Sequence, residues 1–122
     1  MKFEDYNWHD LEIKGITIDR NNPGKNDVIE FTIKLRNGSI SKLLFQDVYW
    51  ANLSLNFGIV ASETINRVYI ASEDDLDLLN FKNQWKSILK NNIEDYKMYV
   101  FEFNSTYSII KIIANNISFP LP

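Results

Sequence analysis

The chain reads as an α+β domain: a mostly antiparallel β-sheet of about seven or eight strands with one main α-helix near residues 73–91. Three observations predict this. The apolar residues are rich in isoleucine and aromatics, which suit a pleated, half-buried surface. Period-two alternation recurs along the chain, most cleanly at Ile29, Phe31, Ile33 and Leu35 and again at Ala51, Leu53, Leu55 and Phe57. Only one stretch, behind Ser72, carries apolar residues at helical spacing.

Taken in order, the opening strand poses a parity problem. Leu11 and Ile13 lie on odd positions, Ile16 and Ile18 on even ones, with Gly15 at the switch. A β-bulge at Gly15 would return all four to one face. The segment DRNNPGKND (19–27) is dense in Asn, Asp, Pro and Gly and reads as a loop. After the strand 29–35, Asn37-Gly38 predicts a two-residue type I′ hairpin turn. That turn would set Leu35 opposite Ile40 and Phe31 opposite Leu44. Lys42 would then fall on the apolar face, so either it snorkels or the register slips.

The return strand runs to about Val48, and a separate run from Tyr49 to Phe57 ends at Gly58. Residues 63–71 read as a short strand, with a helical turn as the alternative. Ser72 reads as an N-cap with Asp75 at N3, ahead of Leu78, Phe81, Trp85, Ile88 and Leu89. Lys90 and Asn91-Asn92 form the stop. Met98–Phe103 and Tyr107–Ala114 are apolar on both faces, as strands covered on both sides would be. Ile117, Phe119 and Leu121 suggest an edge strand, held to the margin by Pro120 and Pro122.

A length of 122 residues fits one domain, 1–122, that buries roughly two-thirds of its unfolded surface. The net charge is −3, and the lysines are scattered singly. Direct nucleic-acid binding normally needs clustered Lys and Arg, so it is not expected. There are no cysteines, which excludes disulfides, zinc-thiolate sites and a Cys nucleophile. The N-terminus lacks a signal-peptide core, and no apolar run reaches transmembrane length. A cytoplasmic protein is expected. The four Asn-x-Ser/Thr sites at Asn37, Asn52, Asn104 and Asn116 then carry no meaning beyond composition. Heavy use of Ile, Asn and Lys points to an A/T-rich, low-GC bacterial genome.

Candidate chemistry is sparse. His9-Asp10 resembles the metal-binding dipeptide of phosphohydrolases, but that class needs further histidines and His9 is the sole one. The plainer reading has both residues leading into the first strand through side-chain bonds to neighbouring backbone. Glu73-Asp74-Asp75 lacks the alternation, central glycine and terminal glutamate of a calcium loop. Acids in a first helical turn already suit the helix dipole, and an acidic surface for a partner is the alternative. No nucleophile elbow, P-loop or dinucleotide fingerprint occurs. Neither an enzyme, nor a metal, nor a cofactor is expected. Among the aromatics Tyr6, Trp8, Tyr49 and Trp50, Trp50 falls on the polar side of its strand. It is either an exposed anchor or a ring packed beneath the 19–27 loop or the helix.

The opening "WHDLEIKGITID", the hairpin "LLFQDVYWANLSLNFG", the central helix and the closing "FEFNSTYSIIKIIANNISF" together resemble small bacterial immunity proteins of polymorphic toxin systems, and related uncharacterised domains. The resemblance spans most of the chain through strand motifs alone, and it carries over no catalytic residue. It implies a cytoplasmic, non-catalytic protein, monomeric or weakly dimeric, that binds a cognate toxin and occludes its active site. Trp8, Tyr49 and Trp50 would then be anchors, and Asp10, Asp74 and Asp75, with Glu4 and Asp5, would steer a basic toxin. Two other classes stay open. A small-ligand or accessory domain needs a concave pocket lined by the aromatics. An unusual hydrolase needs His9 among converging carboxylates.

Overall fold

Gly15 resolves the parity conflict of the first strand. The register steps from Ile13 opposite Ile33 to Gly15 opposite Thr32, a β-bulge of one residue. Ile16 then faces Phe31 and Ile18 faces Ile29, so all four apolar residues share one face. The computed structural model describes residues 3–87 and 96–119. It contains a 3₁₀ turn (Phe3–Asp5), strands β1 (Glu12–Asp19), β2 (Val28–Lys34), β3 (Ile40–Ser54) and β4 (Ile65–Ile70), helix α1 (Leu76–Trp85), and strands β5 (Lys97–Phe103) and β6 (Ile109–Ser118).

The fold is α+β. All pairings are antiparallel, in the order β1-β2-β3-β6-β5-β4. Among the described residues the count is six strands, not seven or eight. The two runs assigned on either side of Tyr49 are one strand, bent where Asp47 takes a positive φ of 51° and the register shifts between Val48 and Trp50. Ile117 likewise continues β6 rather than starting an edge strand, and Leu121 lies outside the described residues. A bulge bends a strand without ending its ladder, which alternation alone reads as a break.

The hairpin after β2 also differs from the type I′ expectation. Leu35 N–H donates to the Ser39 carbonyl at 2.8 Å, so Arg36, Asn37 and Gly38 form a three-residue loop. Gly38 supplies the left-handed residue at φ 87°. Pairing slips by one, setting Phe31 opposite Leu43 and Thr32 opposite Lys42. Lys42 therefore points outward, where Nζ donates to Thr32 Oγ1 at 2.9 Å and lies 3.4 Å from Glu30. Of the two ways to place Lys42, the slip is realised.

The two ends of the sheet meet at one corner. Ile65 N–H donates to the Leu11 carbonyl and Ile13 N–H to the Glu63 carbonyl, both at 2.9 Å. The sheet thus curls into a partly closed barrel around one face. Inside lie Trp8, Leu11, Ile29, Phe31, Ile33, Phe45, Phe101 and Ile112 with their neighbours, all buried. The other face of β5 and β6 buries Met98, Val100 and Ile113 beneath Leu78 and Phe81 of α1. These two strands are covered on both sides, as their composition predicted.

Helix α1 begins later than expected. Ser72 is not its cap. Asp75 is, accepting from the N–H groups of Asp77 at 2.9 Å and Leu78 at 3.2 Å. The helix ends at Trp85 with Lys86 as its C-cap, and the expected continuation through 88–91 lies outside the described residues.

Candidate functional site

The residues expected to form an interface fall in four separate parts of the fold. Trp8 is buried, with 3% of its surface accessible, so it does not stand on the surface as an anchor. Its Nε1 donates to the Phe3 carbonyl at 2.8 Å, and its ring packs against Phe3, Tyr6 and Phe119 with centroids 4.7–4.9 Å apart. A main-chain acceptor five residues upstream makes that burial affordable for an indole. Trp50 is half-buried against the cluster under α1. Tyr49 stays 38% exposed, its ring 4.6 Å from that of Tyr96.

Asp10 is exposed and adopts a positive φ of 66°. Its Oδ1 accepts from Asn104 Nδ2 at 3.2 Å, and its Oδ2 lies 3.4 Å from His9 Nε2. His9 Nδ1 sits 2.9 Å from the Asn66 carbonyl, and since a carbonyl only accepts, that nitrogen carries a proton. The pair fastens the lead-in of β1 to β4 and to the turn after β5. Asp74 is exposed and accepts from the Ser72 hydroxyl, while Asp75 caps α1. Among the described residues, no group of three His, Asp or Glu side chains is placed to hold a metal ion.

What sequence reasoning missed lies at the end of the barrel beyond β3. Phe57 is 85% exposed and Val60 fully so, with Ile59 partly exposed between them. Gly58, at φ 83°, turns the loop. The base of that loop is fixed: Asn56 Nδ2 donates to the Thr106 carbonyl at 2.8 Å, and Asn56 N–H donates to Ser108 Oγ at 3.1 Å. This joins it to the β5–β6 turn, where Tyr107 is 80% exposed at φ 55°. Thr106 in turn donates its hydroxyl hydrogen to Glu63. The signal was present in the sequence: after Gly58 the adjacent Ile59 and Val60 break the alternation that runs from Ala51 to Phe57.

Beside Tyr107 lies a shallow hollow of about 470 Å³ lined by Asn66, Glu102, Asn104, Tyr107 and Ile109. Arg67 binds Glu102 through Nε at 2.5 Å and Nη2 at 3.2 Å, and the Tyr69 hydroxyl donates to the same carboxylate at 3.3 Å. The Arg67 hydrogen bonds hold the Glu102 carboxyl below its usual range, against the opposing effect of burial. Burial pushes the Tyr69 hydroxyl up, and the neighbouring Glu102 charge adds to it. With its carboxylate committed to these donors, Glu102 is a positioned structural charge rather than a free acid or base.

No protein-family model, curated protein or solved structure matches the chain. Among the described residues, no helix is long and apolar enough to cross a membrane.

Proposed function

We propose that this chain is a non-catalytic protein-binding domain that seats its partner on the Phe57–Val60 loop and Tyr107. The observation that carries the reading is the near-complete exposure of Phe57 and Val60 on a loop pinned at its base by Asn56. Neighbouring apolar side chains exposed together mark interaction surfaces, and aromatic anchors dominate binding energy there. A loop already held in place loses little further entropy on binding. The motif resemblance to immunity proteins supports a bacterial toxin domain as the partner and the cytoplasm as the place of encounter. The excess of acidic side chains, with Asp10 at the same end, suits a basic toxin surface.

The test is a pull-down with tagged protein from its native host, run beside a Phe57→Ser/Val60→Ser double variant. One stoichiometric partner with a C-terminal toxin-like domain, held by the parent and lost by an equally stable variant, supports the reading. Equal retention by both moves the interface elsewhere. Absence of any stoichiometric partner removes the reading.

A further inference from the structure

A second feature, away from the Phe57 loop, comes from the bend in β3. β2 pairs with β3 only as far as Ile29 opposite Phe45, and Val48 N–H then donates to the Asp27 carbonyl at 3.0 Å. Beyond the bulge, Trp50–Ser54 pair with β6 alone. The barrel wall is therefore open between the distal half of β3 and the 20–27 loop. The opening is a bay of about 420 Å³. Its floor is apolar: Ile18, Ile29, Val48, Ala51 and Leu53, with Ile18 left 51% exposed. That volume lies within the range of small-molecule sites, roughly 300–1,000 Å³.

The rim carries Asp19, Arg20 and Asp27. Both carboxylates are oriented by their own loop. Asp19 Oδ1 accepts from the N–H and Nδ2 of Asn21, each at 2.9 Å. Asp27 Oδ2 accepts from Gly24 N–H at 2.8 Å. The second oxygen of each takes no hydrogen bond from the described residues, and Arg20 makes no ion pair among them. Two positioned carboxylates and one unpaired guanidinium thus border an apolar hollow.

We propose that this bay binds a free apolar α-amino acid. Its ammonium would meet the open oxygens of Asp19 and Asp27, its carboxylate Arg20, and its side chain the floor formed by Ile18, Val48, Ala51 and Leu53. A simple amine leaves Arg20 unused. A simple carboxylate meets two like charges at the rim. The zwitterion alone uses all three charges while filling the apolar space. This inference does not depend on the protein-binding reading.

The experiment is a titration of the ¹⁵N-labelled chain with L-phenylalanine, phenethylamine and 3-phenylpropionate, which share one ring and differ in head group. L-Phenylalanine is expected to shift amides at 18–20, 27–29 and 48–53. It should bind at least about fivefold more tightly than either analogue, the size of one exposed ion pair. Asp19→Asn/Asp27→Asn keeps the acceptor oxygens and removes the charge, and it should abolish the preference over 3-phenylpropionate. Ile18→Arg, at an exposed position, should block binding with the spectrum otherwise intact. Phe57→Ser should leave it unchanged, so that failure here is distinguishable from failure of the interface at the loop. Equal binding of all three compounds, or no shifts in the millimolar range, overturns the proposal.

Discussion

Asn56 is bonded to Thr106 across the end of the barrel, its Nδ2 donating to the Thr106 carbonyl at 2.8 Å. Together with the bond from its own N–H to Ser108 Oγ, this fixes the point from which the Phe57 loop departs. Asn56→Ala keeps the main-chain donor and deletes the side-chain one. The Thr106 carbonyl then loses a partner at a cost of about 1 kcal/mol. Hydrogen exchange at 57–62 should accelerate more than exchange in β5 or β6. Uniform acceleration across the chain would mean that Asn56 supports global stability and not the loop.

Phe101 tests where the core lies. It is fully buried, with its ring centroid 5.1 Å from Phe31 and 6.0 Å from Phe45 in edge-to-face contact. Phe101→Ala removes those contacts and leaves a cavity between strands, costing about 3–5 kcal/mol. Phe57→Ala, at an exposed position, should change stability by less than about 0.5 kcal/mol. Urea unfolding of the two variants in parallel reads the contrast. A similar loss in both would show that the Phe57 loop is packed in solution, which would remove the case for its role in binding.

The same contrast shows what could be read from sequence. The alternation of β2, the bulge at Gly15 and the two-sided burial of β5 and β6 follow from local pattern, because period and parity are properties of neighbouring residues. The joining of two runs into β3 does not, because a bulge between Val48 and Trp50 and a turn look alike without knowledge of the partner strand. Trp8 lies buried because Phe3 offers a carbonyl to its indole, a tertiary arrangement no spacing encodes. Phe57 reads in sequence only as the last member of an alternation, but β3 ends at Ser54 and Phe57 is left 85% exposed, which alternation does not encode.

The hairpin after β2 yields a third prediction. Gly38 sits at φ 87°, whereas Gly15 is not in the left-handed region, and a Cβ there would meet Thr32 at 3.9 Å, a normal contact. Gly38→Ala should therefore cost about 1–2 kcal/mol for the left-handed conformation. Gly15→Ala should be tolerated, because the bulge needs an extra residue and not a positive φ. Thermal melts order the two variants. A larger loss at Gly15 would contradict the observed geometry of the bulge.

Helix α1 supplies a fourth. The Asp75 carboxylate serves two N–H groups, while the Ser72 hydroxyl is turned to Asp74. Asp75→Ala should cost about 0.5–2 kcal/mol, and Ser72→Ala much less. The reverse order would restore Ser72 as the cap.

The Arg67–Glu102 pair makes stability depend on pH in a direction fixed by sign. Hydrogen bonds from Arg67 lower the Glu102 carboxyl relative to its usual value of 4.5. A carboxyl depressed on folding stabilises the native state above its unfolded pKa, and that contribution disappears as pH falls through the folded value. Glu102→Gln removes the titrating group, so its stability should fall less steeply than that of the parent below pH 4.5 and run parallel to it near neutrality. Arg67→Gln should flatten the same limb while leaving Glu102 in place, because the depression originates in the guanidinium. Salt should shrink the difference, since Arg67 is largely exposed and its charge is screened. Urea titrations across the acid range, at low and at high salt, measure all three effects. Parallel acid limbs in parent and variants would mean that the pair forms no stronger in the folded chain than in the unfolded one.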